Sequence, residues 1–260
     1  MLSRVADAIY WMNRYLERAE NYARFLDVNF NLALELPPDV AAQWKPLVEI
    51  TGDLHLYESL HGKIKKSTVI YFLGFDEQNP NSIFNSICKA RENARSVRPQ
   101  ITIEVWEQIN ALYHFIKAEK AKKRWQKKDP RLFFDEIRKG SQLLYGMFDA
   151  IISHDDGWHF GKIGQLIERA DKTSRVLDAK YHMLLPSKRD VGSPLDIIQW
   201  AALLKSVSAY DMYRRRFGKL TVAGIAEFLI LDKEFPRSMR HCLISAEKSL
   251  QKITGSTIGF

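Results

Sequence analysis

Apolar residues recur along the chain at the spacing of an α-helix. In the first 35 residues they step alternately by four and three positions over four heptads, which predicts one long helix that ends before Pro37. Strand-like patterns are nearly absent, and the most β-like piece, 67–73, is short and has no pairing partner, so we expect a buried helix there. The apolar positions of the first helix are Val5, Ile9, Met12, Leu16, Ala19, Ala23, Leu26, Phe30 and Ala33.

The rest of the chain follows the same helical periodicity. A second long helix is predicted over 158–185, and no domain linker or low-complexity segment interrupts the pattern. The predicted fold is therefore all-α: a single-domain helical bundle with two long, internally repeated central helices. Further helices are predicted over 40–50, 53–60, 81–97, 102–122, 130–153, 194–216, 221–231 and 236–253.

The two long helices echo each other at a separation of 151 residues. Segments 16–27 and 167–178 share six of their twelve residues, including a Glu-Arg-Ala motif at the same place in both. This echo indicates an internal duplication within one domain of residues 1–260, with repeat-like halves of about 1–130 and 131–260. Shifting the first apolar seam by the same distance predicts a buried seam on the second helix, at Phe160, Ile163, Ile167, Ala170, Ser174, Leu177, Tyr181 and Leu184.

A charged stripe runs beside the apolar seam on each long helix. At about 100° per residue each stripe covers an arc of about 80° next to the seam, so partial burial is expected. A buried carboxylate without a partner costs several kcal/mol, so the arginines of the stripes are expected to pair along or across the helices. The stripes consist of Glu17, Glu20, Arg24 and Asp27, repeated by Glu168, Asp171, Arg175 and Asp178.

Three interpretations of these stripes stay open. The first is a structural ion-pair ladder that fixes the register of the helices. The second is an anion- or carboxylate-binding site around Arg24 and Arg175, to which Arg18 and Arg169 contribute, because guanidinium groups hold carboxylate or phosphate bidentately. The third is a metal site, although the Glu-x-x-His pairs of di-iron bundles are missing and no metal or cofactor is predicted. The ligands of such a metal site would be Glu17, Glu20, Glu168 and Asp171.

Charge is unevenly spread along the chain. Lys and Arg total 39 against 31 Asp and Glu, a formal net charge of +8, and segment 117–131 holds eight basic residues against two acidic ones. A patch for nucleic acid or another anionic surface is one interpretation, and a solvated helix end is the other. Trp125 is the only aromatic residue among these bases, whereas single-strand binders interleave several. Nucleic-acid binding is therefore not the expected function.

Cysteine usage and hydropathy indicate the cellular compartment in which we expect the protein. Cys88 and Cys242 are far apart and lack nearby Cys or His partners, which excludes a disulfide framework and favours a reduced compartment. No apolar run approaches the roughly 20 residues of a membrane span, and the N-terminus lacks the apolar stretch of a signal peptide. We expect a cytoplasmic protein without a membrane segment. No phosphate loop or nucleophile elbow is present, so no catalytic residue is assigned.

Motifs spread over nearly the whole chain carry a family resemblance. The chain opens with Met-Leu-Ser-Arg-Val-Ala-Asp at 1–7 and continues with Tyr-Leu-Glu-Arg-Ala-Glu-Asn at 15–21. Later motifs are Ala-Arg-Glu-Asn-Ala-Arg-Ser-Val-Arg at 90–98, Gly-Trp-His-Phe at 157–160 and Leu-Asp-Lys-Glu-Phe-Pro-Arg-Ser at 231–238. In this order they resemble the alpha-E domain family, a bacterial all-helical family named for its Glu-Arg motif.

The resemblance implies a functional context. Members of the family are typically linked with circularly permuted ATP-grasp proteins and transglutaminase-like proteins, which implies a role in forming or modifying peptide or amide bonds. We therefore predict an accessory or substrate-handling component of such a system, whose Glu/Arg stripes bind a partner or a carboxylate substrate. The alternatives are a carboxylate-based metal-dependent or acid–base enzyme, and a nucleic-acid binder through 117–131. The candidate binding residues are Glu17, Arg18, Glu20, Arg24, Asp27, Arg91, Glu92, Asn93, Arg95, Glu168, Arg169, Asp171, Arg175 and Asp178.

Overall fold

The computed structural model describes residues 1–35, 44–123, 126, 129–182 and 192–256. These residues form twelve α-helices and one 3-10 turn, and no strand occurs among them, which confirms the all-α prediction. The helices are α1 (Ser3–Glu35), α2 (Lys45–Thr51), α3 (Leu54–His61), α4 (Lys66–Gly74), α5 (Ile83–Ser96), α6 (Ile103–Lys122), α7 (Arg131–Ile151), α8 (Asp156–His182), α9 (Pro194–Ser206), α10 (Tyr210–Phe217), α11 (Val222–Leu231) and α12 (Met239–Thr254), with the 3-10 turn at Arg98–Gln100.

The two longest helices, α1 and α8, pack along each other and form the centre of the bundle. Helices α5 and α7 pack on α1, whereas α12 packs on α8. Helix α6 lies against both α5 and α7. The short helix α2 contacts α8, and the short helix α9 contacts both α1 and α8, near the C-terminal ends of the two long helices. The prediction of two long central helices is therefore confirmed, and helices α2, α5, α7, α9 and α12 pack directly on one or both of them.

Five helices begin at a serine or threonine that caps the first turn. In each case the side-chain hydroxyl accepts a hydrogen bond from the backbone N–H three residues later, which satisfies one of the donors that a helix start leaves without a partner. The capping residues are Ser82, Thr102, Ser193, Thr221 and Ser238. These local signals fix where α5, α6, α9, α11 and α12 begin.

Burial on the two central helices differs. The seam of α1 is buried from Ile9 to Phe30, as predicted. On α8, Ala170 of the shifted seam is buried as predicted, whereas Phe160, Ile163, Ile167, Ser174 and Leu177 are only half buried. The side chain of Tyr181 and the whole of Leu184 lie outside the described residues. Small and polar residues form the buried face of α8 instead, because α1 approaches closely and supplies charged partners. That face runs through Gly161, Gln165, Glu168, Lys172 and Val176.

Two predicted helix boundaries are wrong. The helix expected over 194–216 breaks at residues 207–209, because Ser208 adopts a left-handed backbone with φ of 53° that a helix cannot continue through. The helix expected over 236–253 begins only at Met239, after Ser238. Parts of two other predictions, 40–43 and 183–185, lie outside the described residues.

A second internal repeat relates the helices after α1 to those after α8. At a separation of 156 residues, segments 72–82 and 228–238 share the pattern Phe-Leu-x-x-Asp-x-x-x-Pro-x-Ser. The equivalent Tyr57 and Tyr213 donate equivalent hydrogen bonds, from Oη to the backbone carbonyl six residues later, at 3.4 and 3.0 Å. The repeated stretches therefore extend over α1–α5 and α8–α12, with α6 and α7 between them. A division of the chain near residue 130 stays a prediction.

Candidate functional site

Two glutamates and two arginines join α1 to α8 by exchanged ion pairs. Arg169 donates from Nε and Nη2 to the two carboxylate oxygens of Glu17, both at 2.9 Å. Arg18 donates to Glu168 in the same way, from Nε at 2.7 Å and Nη2 at 3.0 Å. The arginine of each Glu-Arg motif thus holds the glutamate of the other motif. We call these four residues the Glu–Arg clamp.

A close approach of the helix backbones brings the clamp together. Gly164 lies one turn before Glu168 on α8, and a Cβ built on it would stand 2.3 Å from the backbone oxygen of Tyr10 on α1. Only a residue without a side chain fits such a contact. Gly161, one turn earlier on α8, is also closely packed, because a Cβ built on it would stand 2.5 Å from the ring of Phe148.

Further cations surround each clamp glutamate. Arg14 donates to Glu168 from Nε at 2.9 Å and from Nη2 at 2.8 Å, and Lys172 Nζ lies 3.3 Å from the same carboxylate. On the other side, Arg237 lies 3.4 Å from Glu17 and donates to Glu20 at 3.0 Å. The side chains of both clamp glutamates are fully buried. Burial with several guanidinium partners is the arrangement in which a carboxylate stays charged inside a protein.

Arg14, Lys172 and Arg237 are absent from the predicted site residues. Arg237 occupies the position equivalent to Asn81 in the 156-residue repeat, directly before the capping serine in each copy. Asn81 Oδ1 accepts a 2.7 Å hydrogen bond from Arg18, so both equivalent residues contact the clamp. The shared Phe-Leu-x-x-Asp-x-x-x-Pro-x-Ser pattern is the sequence signal that could have identified Asn81 and Arg237.

The electrostatics of the clamp keep its carboxylates ionised. Burial by itself raises the pKa of Glu17, but the guanidinium groups of Arg169 and Arg237 outweigh it and hold the pKa at about 2. Burial likewise opposes ionisation of Glu168, and the hydrogen bond from Arg18 together with the charge of Lys172 lowers its pKa below the usual range. A carboxyl group serves as a general acid near neutral pH only when its pKa is raised, so neither glutamate is suited to that role.

Acid is expected to remove the contribution of Glu17 to stability. Its folded pKa of about 2 lies below the ordinary 4.5, so the contribution is full above about pH 4.5 and disappears as the pH falls towards 2. That difference in pKa corresponds to a contribution on the order of 3 kcal/mol at neutral pH. Urea unfolding at several pH values between 7 and 3 measures it.

The matched variants for this measurement are Glu17→Gln and Glu234→Gln. Glu17→Gln has no carboxyl group to titrate, so the stability gap between it and the wild type is expected to narrow as the pH falls. Glu234, whose side chain is 90% exposed, is expected to leave the pH profile unchanged when replaced. A gap that stays constant from pH 7 to pH 3 would contradict the low pKa.

The outer residues of the two stripes have different environments. Arg24 is buried and pairs with Glu20, one turn away on α1. Asp27 lies 3.1 Å from Arg138 on α7. In the second stripe, Arg175 pairs with Asp171 at 2.9 Å, but its side chain is 42% exposed. Asp178 is exposed as well. The first stripe is thus internal, whereas the second reaches the surface after its first turn.

The predicted site residues between positions 91 and 95 lie on α5. Arg91 donates to Asn110 of α6 at 2.7 Å, and both Arg91 and Arg95 pair with Glu92, at 3.1 and 2.6 Å. Asn93 donates to the backbone carbonyl of Lys89 on the same helix. Within the described part of the chain, these contacts join α5 to itself and to α6, so the structure does not bring this segment into the clamp.

Aromatic rings and cations line the surface above Glu168. The rings of Trp11 and Tyr15 stack at 5.4 Å, and the Arg14 guanidinium lies 4.9 Å from the Trp11 ring. Arg18 and Lys89 lie 5.5 and 5.4 Å from the Tyr15 ring. We call Trp11, Arg14, Tyr15, Arg18 and Lys89 the basic–aromatic face. Burial and the charge of Arg18 lower the pKa of Lys89, as expected where cations gather.

The carboxylate metal site considered from the sequence does not fit this geometry. Guanidinium groups already occupy the oxygens that would bind the ion, at Glu17 and Glu168. Across the ranges that the structure covers, no group of three or more His, Cys, Asp or Glu side chains is arranged to hold a metal ion. In the same residues, no helix has both the length and the apolar character that crossing a bilayer requires.

The basic segment 117–131 is only partly described, since residues 124, 125, 127 and 128 lie outside the described residues. Lys120 pairs with Glu77, and Arg131 pairs with Asp129. Lys117 lies 5.7 Å from the ring of Tyr113. Three of the described cations of this segment thus contact acidic or aromatic side chains of the protein itself.

Fold and site together define an all-α protein whose two long helices exchange Glu–Arg pairs. The Alpha-E family model, described as a predicted alpha-helical domain with a conserved ER motif, matches residues 1–259. The chain belongs to this family. The glutamate and arginine of that motif correspond in type to the paired residues of the clamp.

The curated relatives that match are uncharacterised mycobacterial proteins. Uncharacterized protein Mb2597 of Mycobacterium bovis and uncharacterized protein Rv2567 of Mycobacterium tuberculosis are each 26% identical to this chain over 280 residues. Each match covers 98% of this chain but only 30% of the relative, so the chain spans about a third of the length of these proteins. No solved structure matches the chain significantly.

Proposed function

We propose that this protein is an accessory, substrate-handling module of an ATP-grasp-linked system that forms or modifies peptide or amide bonds. In this proposal the basic–aromatic face binds a carboxylate group of the substrate or of a partner protein. The observation that carries it is the convergence of Arg14, Arg18 and Lys172 on the single buried carboxylate of Glu168, with two of these cations reaching the surface.

The two surface arginines retain hydrogen-bonding capacity. A guanidinium group has five N–H donors, and Arg14 uses three of them, two towards Glu168 and one towards Tyr10. Arg18 also uses three, towards Glu168 and Asn81. Their side chains are 19% and 13% exposed, and the ion pairs with Glu168 hold both guanidinium groups in position. Such preorganised donors suit a carboxylate or phosphate oxygen.

Chemistry and chain length support a binding role over a catalytic one. The clamp carboxylates are charged and held by arginines, which leaves no proton to donate at neutral pH. The mycobacterial relatives carry the matching region within polypeptides about three times as long, so in those proteins it accompanies other segments. A module that presents a substrate or partner to a neighbouring catalytic unit accounts for both observations.

Binding to the circularly permuted ATP-grasp protein of the same organism tests the proposal. Arg14→Ala combined with Lys89→Ala is expected to weaken binding at least tenfold in biolayer interferometry, because two cations are removed while Arg18 and Lys172 still hold Glu168. Arg95→Ala is the matched control, since this arginine is 68% exposed on α5 and is expected to leave binding unchanged.

The outcomes are distinct. If the wild-type protein binds neither the ATP-grasp protein nor the transglutaminase-like protein, the functional context is wrong. If it binds one of them and the double variant binds equally well, the basic–aromatic face is not the contact surface. Unfolding measured on the same samples shows whether the double variant keeps the wild-type stability.

A further inference from the structure

A pocket opens between the C-terminal turns of the two central helices and the short helices α2 and α9. Its interior has a volume of about 50 Å³, and the total empty space is about 490 Å³ when the mouth, which is open to solvent, is included. Its lining shares no residue with the Glu–Arg clamp or with the basic–aromatic face. It is therefore a separate feature of the molecule, with its own chemistry.

The pocket lies where the two internal repeats meet. Phe25 and Val176 are equivalent in the 151-residue repeat and both line it, as do Leu47 and Leu203, which are equivalent in the 156-residue repeat. These four side chains are buried and give the pocket an apolar wall. An apolar lining with a few placed polar groups is the usual composition of a small-molecule site.

The two repeats contribute different polar groups to this wall. Asn29 and Lys180 are equivalent positions, and they are only 7% and 6% exposed. Lys180 Nζ donates to Asp196 at 3.0 Å and to Gln199 at 2.6 Å, so its charge is balanced and two of its donors are used. Asn29 Nδ2 is buried and has no hydrogen-bond partner in the described structure. The pocket thus has an amide donor that lacks an acceptor.

We propose that this pocket binds a small, uncharged molecule with a short hydrocarbon body and a carbonyl oxygen, which accepts the hydrogen bond of Asn29. Buried amide donors in proteins almost always have an acceptor, and none is provided here by the described residues. The apolar wall selects the hydrocarbon body. The ion pair with Asp196 neutralises the charge of Lys180, so the pocket does not need a charged ligand.

Isothermal titration with hexanamide tests this proposal. Saturable binding at one site is expected, with hexanoate weaker because its charge has no counterpart, and hexylamine not binding because it lacks an acceptor. Asn29→Leu is expected to weaken hexanamide binding about tenfold, since it keeps a similar size and removes the donor. Ala202→Phe fills the pocket and is expected to abolish binding.

Failure of the proposal is easy to recognise. If wild-type protein shows no saturable hexanamide binding, or if hexylamine binds as tightly as hexanamide, the assignment is wrong. Equal binding by the wild type and Asn29→Leu would likewise overturn it. Ser59→Ala, at an exposed position on α3, serves as the control variant that should bind like the wild type. Because none of these residues lies in the basic–aromatic face, the result is independent of the proposed partner.

Discussion

Replacing Arg169 with alanine is expected to lower the free energy of unfolding by about 3–5 kcal/mol, the usual cost of removing one partner from a buried ion pair. Glu17 loses both of its bidentate hydrogen bonds and keeps only Asn21 and the 3.4 Å contact with Arg237. Its carboxylate is fully buried in the native protein, so it depends on these donors rather than on solvent. Urea-induced unfolding followed by circular dichroism measures the change.

Arg175→Ala is the matched control for this effect. Arg175 lies on the same helix and pairs with Asp171, but its side chain is 42% exposed, so the loss is expected to be below about 1 kcal/mol. Adding Glu17→Gln to Arg169→Ala is expected to recover part of the lost stability, because the unpaired carboxylate is then gone. Equal losses in Arg169→Ala and Arg175→Ala would show that the clamp does not stabilise the contact between α1 and α8.

Gly164→Ala is expected to destabilise the protein by about 1–3 kcal/mol or more, as overpacking in an interior does. The added methyl group would lie 2.3 Å from the Tyr10 backbone oxygen and 3.0 Å from its carbonyl carbon. Backbone atoms cannot rotate away as a side chain can, so α8 has to move off α1. That movement would also lengthen the clamp hydrogen bonds one turn further along.

Gly146→Ala on α7 provides the control with the opposite sign. Nothing lies within 4 Å of the Cβ that would be added there, so the alanine is expected to stabilise the helix by about 0.5–1 kcal/mol through its higher helix propensity. Thermal unfolding of both variants is sufficient, since their expected shifts have opposite directions. A Gly164→Ala protein as stable as Gly146→Ala would show that α1 and α8 are not in close contact at Tyr10.

Local sequence patterns predicted a large part of the structure. The period of the apolar positions placed α1, α8 and most of the shorter helices. The break after Ser206 could not be predicted, because residues 207–209 contain neither Gly nor Pro. The left-handed turn at Ser208 is closed by backbone hydrogen bonds from Ser208 to Lys205 and from Ala209 to Leu204. Gly52, its equivalent at a separation of 156 residues, also has a positive φ, of 79°.

The candidate site was predicted in composition but not in connectivity. The echo between the two Glu-Arg motifs identified all four clamp residues, and the position of the charged stripes beside the seam predicted burial of the two glutamates. It did not reveal that Arg237, more than 200 positions from Glu20, would donate to that carboxylate. The same echo led to the prediction of an apolar seam on α8 where the structure has a polar, glycine-containing face towards α1.

The sequence by itself determined that this protein is helical, that two of its helices are long and that both carry a Glu-Arg motif. These properties follow from residue spacing along one helix, which depends on neighbours within a few positions. The tertiary structure alone decided that each arginine holds the other helix's glutamate, and that Asn29 and Lys180 share a pocket. Such contacts depend on how closely two helices that are distant in sequence approach each other, and in which register. At Gly164 the distance is set by contact between the backbone of α8 and the backbone of α1 at Tyr10.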